Sequence, residues 1–208
     1  MKKIFSKIWG LIKRHKILTV VCTLILVLLV IMFVVFVKFF VGGDDKYGDR
    51  LDGIEKVKIT SREEEKIAME MFNQSKRGRR YDFIGDIIDY QTPLKNKRSD
   101  VAGKIDMISY DGNILYVLEL KKPDSDESML RCVLEGFTYM QTVNKAKLLE
   151  DFELPKDTVV KASPFVFKGK IQHSQMKEER PYLFALMELL DSKPYYIYKE
   201  DNINKVEE

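Results

Sequence analysis

Histidine and cysteine are nearly missing from this 208-residue chain, which has two of each. His15 and His173 are far apart in sequence, as are Cys22 and Cys132, so no Cys/His spacing of a zinc site occurs. The same scarcity leaves no Ser/His/Asp or Cys/His pairing for nucleophilic catalysis. An intramolecular disulfide is also excluded, because Cys22 lies in an apolar run that reads as a membrane span and Cys132 in an apolar helical pattern. A Gly-rich phosphate loop, internal repeats and low-complexity tracts are absent. Charge itself is missing over Ile17 to Val37, 21 residues rich in Leu, Val, Ile and Phe.

That uncharged run is long enough to cross roughly 30 Å of hydrocarbon. A signal peptide would have a shorter apolar core and a small-residue cleavage site close behind it, so the length favours an uncleaved single-pass anchor over 17–41. Residues 1–16 form a basic segment with Ile4, Phe5, Ile8, Trp9 and Ile12 on one helical side. It reads as a helix lying at the membrane interface, or as a plain topological flank. Six Lys/Arg precede the span and five follow within about 20 residues, a weak bias toward a cytoplasmic amino terminus.

The net charge of +3 belongs to this anchor. Residues 1–41 hold seven Lys/Arg and no acid, which leaves 28 basic and 32 acidic residues beyond, a net of about −4. Overall basicity is therefore a property suited to anionic lipid headgroups, and it carries no argument for nucleic acid.

Residues 42–60 read as a polar linker ending in a short extended stretch, and 61–208 as the folded domain. Patterning predicts a helix over Ser61–Asn73 and a strand over Tyr81–Tyr90. A hairpin over 103–121, a helix over Asp126–Leu149 and a strand over Val159–Phe167 follow. A helix over Glu179–Leu190 and a strand over Tyr195–Tyr198 complete the series. The basic run Ser75–Arg80 breaks the pattern and marks a second place where the module could begin. The stripe Leu130, Val133, Leu134, Phe137 and Met140 is expected to pack on the sheet, with Arg131, Glu135 and Tyr139 on the other side of that helix.

The hairpin carries the chemistry. Asp111-Gly112 is a strong two-residue turn signal, which pairs Tyr110 with Asn113 and sets Asp106 opposite Val117 and diagonal to Glu119. Alternation then brings Asp106, Glu119 and Lys121 out on one face, with Ile105, Met107, Tyr116, Leu118 and Leu120 on the other. Two carboxylates and an amine at one place suit a divalent metal and a phosphodiester. A salt-bridged, solvent-facing hairpin side is the structural alternative.

Gly103-x-x-Asp106 followed by Glu119-Leu120-Lys121-Lys122-Pro123, after a helix and within a strand series, resembles the PD-(D/E)xK superfamily, the restriction-endonuclease-like nucleases. The resemblance covers roughly residues 61–170 and is nearest to small bacterial nuclease-like proteins. The anchor resembles the start of Gram-positive single-pass membrane proteins. The family implies an α/β protein with an αβββαβ core, here behind a transmembrane helix. It implies Mg²⁺, with Mn²⁺ as the alternative, held by Asp106 and Glu119, and Lys121 beside the attacking water. Glu64 on the first helix matches the acidic residue often found there, although Ser61-x-x-Glu64 is equally a capping box.

Glu135-x-x-x-Tyr139 sits where some members carry Gln-x-x-x-Tyr, and the Glu weakens a DNA-contact role. Arg131 could grip a phosphate, or simply pair with Glu135. Two basic clusters, Lys76, Arg77, Arg79 and Arg80, then Lys95, Lys97 and Arg98, could follow a phosphate backbone or be solvated loops. The expected activity is a membrane-anchored, Mg²⁺-dependent nuclease. The competing class is an inactive nuclease fold used as a tethered binding or scaffold module. Expected partners are nucleic acid, DNA first, and the lipid bilayer through residues 17–41, with a homodimer open.

Overall fold

Residues 62–94, 103–178 and 180–208 are described by the computed structural model. The interface segment, the expected span, the linker and Lys95, Lys97 and Arg98 therefore lie outside the described residues. Among the described residues no helix is long and apolar enough to cross a membrane.

Six strands form one sheet in chain order. They are β1 (Asp86–Pro93), β2 (Lys104–Tyr110), β3 (Ile114–Leu120), β4 (Val159–Phe167), β5 (Tyr195–Glu200) and β6 (Ile203–Glu207). The first three are antiparallel, β3–β4 and β4–β5 are parallel, and β6 returns antiparallel to β5. Parallel neighbours require crossover connections, and helices supply them. Before β1 comes α1 (Glu63–Lys76). Between β3 and β4 lie α2 (Met129–Thr142) and α3 (Lys145–Asp151), and between β4 and β5 lie α4 (Ile171–Gln175) and α5 (Pro181–Leu189). The chain is a mixed α/β protein, as its patterning implies.

Helices cover the sheet on both sides. Ala68, Met71 and Phe72 of α1 pack with Met107, Tyr116, Leu118 and Leu120. Met140 of α2 and Leu148 and Leu149 of α3 pack with Ile108, Leu115 and Val117. Burial on both faces explains why β3 reads as an almost unbroken apolar run. Ile105, expected beside Met107, belongs instead to the second cluster. The basic run after α1 is no module boundary. Ile87 donates its amide to Ser75 Oγ at 3.0 Å, and the Tyr81 hydroxyl bonds Gln74 Oε1 at 3.0 Å, so α1 is tied to the sheet across it.

Four expectations need correction. First, the hairpin turn is centred one residue later. Tyr110 pairs with Leu115, and Asp111 N–H bonds Ile114 O, so the two-residue loop is Gly112-Asn113. Gly112 takes φ +110, and Asp111 Oδ1 accepts the amides of both Asn113 and Ile114 at 2.8 Å. The Asp111 side chain thus closes the turn from outside it. The resulting register slip is two residues, an even number, so the slip itself leaves Asp106 and Glu119 on the face that alternation gives them.

Second, the long helix over 126–149 is two helices, because Asn144 caps α3 by accepting the Lys147 amide at 3.2 Å. Third, α2 is rotated relative to the expected stripe. Met129, Cys132, Val133, Gly136 and Met140 are buried, while Leu130 and Leu134 are 45% and 43% exposed. Fourth, β1 starts at Asp86 because Tyr81 and Gly85 pinch off a small loop. A β-carbon on Gly85 would stand 2.1 Å from Tyr110 O, so no other residue fits that approach. Strand β6 was not expected. It follows the turn Asp201-Asn202, whose φ values of +51 and +61 are those of a I′ hairpin.

Candidate active site

Strand β3 ends in the central, doubly covered part of the sheet, and this end carries the charged residues. Lys121 follows directly, its amide donating to Phe165 O on β4 at 3.1 Å. Extending the observed register one step beyond Met107↔Leu118 sets Asp106 across from Glu119. Asp106 Oδ2 accepts the Leu120 amide at 3.0 Å and Oδ1 accepts Gln91 Nε2 at 3.2 Å. Glu119 is 4% exposed and Lys121 7% exposed, so neither can be a loose surface group.

The Lys121 ammonium sits among three carboxylates, 2.8 Å from Glu119 Oε1, 2.7 Å from Glu127 Oε2 and 2.8 Å from Glu135 Oε2. Arg131 joins the far side of this cluster, 2.7 Å from Glu135 Oε1 and 3.3 Å from Glu127 Oε1. The expected Arg131–Glu135 pair is therefore present. Glu127 was not singled out in the sequence. Its loop is held by the buried Gln172 of α4, whose Nε2 donates to Glu127 O at 2.7 Å, a contact with no sequence signal.

Helix α2 can lie this close because of Gly136. A β-carbon there would stand 3.3 Å from Glu119 Cβ. Tyr139, one turn further, lies by Gly103, and burial followed by the charges of Glu119, Glu135 and Asp106 raises its phenol. Glu64 also reaches the site. Its Oε1 accepts the Lys122 amide at 3.2 Å, and the helix N-cap is Arg62 with no side-chain cap bond. The carboxylate thus spans from α1 to the exit of β3, and the capping box expected with Ser61 lies outside the described residues.

A cleft of about 420 Å³ opens beside Asp106, lined also by Arg62, Glu64, Glu65, Gln91, Gly103 and Lys104. Lys104 is exposed and makes no ion pair among the described residues. It is a cation at the cleft that patterning did not pick out.

The basic residues after α1 are elsewhere. Arg80 pairs with Asp86 at 2.9 Å and donates to Asp111 O, at the turn end of the hairpin. Asp106 is near the opposite end of β2, so about four strand residues at roughly 3.3 Å each separate the two. Lys76 lies over Phe72 and Arg79 over Tyr81, each as a cation on an aromatic face. Arg77 sits between them in the chain, just past the end of α1.

Electrostatics of the carboxylates are strongly displaced. Burial, followed by the Glu64 charge, outweighs the Leu120, Lys121 and Gln91 contacts and lifts the Asp106 carboxyl to about 7. Burial and the Asp106 charge lift Glu119 to about 9 against the pull of Lys121. Lys121 moves up despite burial, because Glu119, Glu127 and Glu135 favour its ammonium form. Glu135, although burial opposes it, is held below its usual range by Lys121 and Arg131. Cys132 is inert, its thiol pushed up to about 12 by burial.

Asp106 and Glu119 fit a hard divalent cation by donor chemistry and by charge. Glu119 Oε2 is buried without a hydrogen-bond partner, and both carboxyls are raised in a way that a cation would reverse. Among the described residues no group of three His, Cys, Asp or Glu side chains is arranged as a complete metal site. The chain matches no protein-family model, no curated protein and no solved structure.

Proposed function

We propose that this protein is a membrane-anchored, Mg²⁺-dependent hydrolase of nucleic-acid phosphodiester bonds, with a restriction-endonuclease-like core. The observation that carries the reading is the buried, unpartnered Glu119 Oε2 beside Asp106 and Lys121. Such a group is costly to bury unless something else completes its coordination. The order of helix, three antiparallel strands, crossover helices and a parallel strand is also the order this superfamily implies.

Asp106 and Glu119 would hold the cation, and Glu64 adds negative charge at the same end of the sheet. A bound Mg²⁺ supplies charge neutralisation at the phosphate and a more acidic water. Lys121 is protonated at neutral pH, so it serves as a fixed positive charge that orients water and stabilises the developing phosphorane; it is not a base. Water oxygen bonds to phosphorus and gives up its proton to solvent, the ester P–O bond breaks, and the departing oxygen takes a proton from solvent. Lys104 stands where a phosphate entering the cleft would meet it. Arg131 and Tyr139 flank the site from α2, while Lys76, Arg77, Arg79 and Arg80 lie toward the other end of the hairpin and would contact backbone phosphates only at a distance.

One observation favours the second reading, a non-hydrolytic binding or scaffold module. Three carboxylates engage Lys121 at once, and Glu135 stands where a neutral Gln would leave the lysine freer. Incubating the full chain in detergent micelles with end-labelled DNA and RNA, with Mg²⁺ or EDTA, separates the two. Cleavage lost in Asp106→Asn and Lys121→Met supports the hydrolase. Binding without cleavage, indifferent to Lys121→Met, supports the scaffold.

A further inference from the structure

Gln91 is the residue of β1 that faces Asp106, lying between the partner pairs Tyr90↔Met107 and Thr92↔Ile105. Its backbone is unusual for a strand. φ is +53, the left-handed region, which L residues with long side chains rarely occupy. Gly could sit there without strain, yet this chain keeps a glutamine. The side chain is 8% exposed, and its Nε2 donates to Asp106 Oδ1 at 3.2 Å. On the other side, Leu120 of β3 donates to Asp106 Oδ2 at 3.0 Å. The carboxylate of the central strand is thus held by one neighbouring strand at each oxygen, and Gln91 and Asp106 share the cleft wall.

We propose that Gln91 is a positioning residue that fixes the plane of the Asp106 carboxylate for a divalent cation; this rests on the metal-dependent reading above. A carboxylate anchored only by the Leu120 amide can rotate about its last torsion. Anchored at both oxygens, it keeps one lone pair of each directed at a constant place. Partners of this kind, once removed, typically weaken metal affinity by 10–100-fold.

The test is Mn²⁺ binding to the full chain, followed by electron paramagnetic resonance, in Gln91→Leu and Gln91→Gly. Both lack the amide, but only Gly relieves the left-handed backbone. Positioning requires Mn²⁺ affinity to fall about tenfold or more in both, with kcat lowered and KM for nucleic acid unchanged. A purely backbone role requires Gly to bind Mn²⁺ at least as well as the unmodified chain, which overturns the proposal. If Gln91→Leu does not fold, the Gly variant still decides. In the unmodified chain the Gln91 side-chain amide resonances should also shift on adding Mg²⁺, and unmoved resonances contradict the proposal. Affinity unchanged in both variants but lost in Asp106→Asn removes Gln91 from the site and leaves the hydrolase reading standing. An unmodified chain that binds no Mn²⁺ sinks that reading, and this one with it.

Discussion

Gly136 of α2 lies over Glu119 of β3, where an added β-carbon would be 3.3 Å from Glu119 Cβ, a tight approach, and 3.8 Å from Ala162 Cβ, an ordinary contact. Glu119 Cβ is fixed to strand backbone, so it cannot swing away as the end of a flexible side chain could. Replacing Gly by Ala in a helix interior ordinarily stabilises by about 1 kcal/mol. Overpacking costs about 1–3 kcal/mol. The clash wins here: Gly136→Ala should lower the thermal midpoint and draw Glu135 away from Lys121. A raised midpoint in calorimetry would show that α2 has slack.

The pH dependence of stability should run opposite to that of most proteins. Asp106 and Glu119 hold their protons more tightly in the fold, at about 7 and about 9 against ordinary values of 3.8 and 4.5. Such carboxyls favour the native state fully below their unfolded values, and that contribution is lost as pH rises through the folded ones. In EDTA, urea midpoints should therefore decline between about pH 5 and pH 9, and Mg²⁺ should flatten the decline. Midpoints that climb across this window in EDTA would mean the two carboxylates are better solvated than their burial implies.

Glu119→Gln separates stability from chemistry. The amide keeps the shape and, unlike a carboxyl raised to about 9, takes up no proton on folding at pH 8. The metal-free variant should thus match or exceed the unmodified chain in stability at pH 8, while gaining nothing from Mg²⁺. Thermal melts with and without Mg²⁺ read both effects, and a full Mg²⁺ response in the variant would dismiss Glu119 as a ligand.

Lys104 should act on substrate alone. Lys104→Met is expected to weaken binding of a labelled oligonucleotide and to reduce the magnitude of its log–log salt slope by about 1. The melting midpoint should not change, because Lys104 has no ion pair among the described residues. Anisotropy titrations at several salt concentrations would reveal an unchanged slope if the phosphate enters elsewhere.

Asn144 tests the break between α2 and α3. Its side chain satisfies the Lys147 amide, so Asn144→Ala should cost about 1 kcal/mol. Denaturant unfolding that shows no loss would mean the two helices continue into one another when the cap is gone.

Much of this architecture was readable from residue patterns. The mixed α/β class, the bounds of β4 and the meeting of Asp106, Glu119 and Lys121 all follow from alternation and spacing. The hairpin register differs by two from the one an Asp-Gly loop predicts, because Asp111 uses its carboxylate to close the loop after it. Asp106 and Glu119 still share a face because the slip is even, whereas Ile105 packs with the opposite cluster from Met107. The inward side of α2 was missed because Gly136 has no hydrophobic signature, yet decides which side can approach the sheet. Gln91, Glu127 and Lys104 carried no signal either. Gln91 acquires its role from Asp106, 15 residues away, Glu127 from a loop that Gln172 holds from 45 residues away, and Lys104 from a cleft, relations that local periodicity does not encode.

The most direct test is single-turnover cleavage of end-labelled nucleic acid by the full chain in Mg²⁺, beside Asp106→Asn and Lys121→Met. The expected result is Mg²⁺-dependent product from the unmodified chain and none from either variant, with all three folded by circular dichroism. Equal product from all three, or none from the unmodified chain in Mg²⁺ or Mn²⁺, would contradict a hydrolytic role for this carboxylate–lysine cluster.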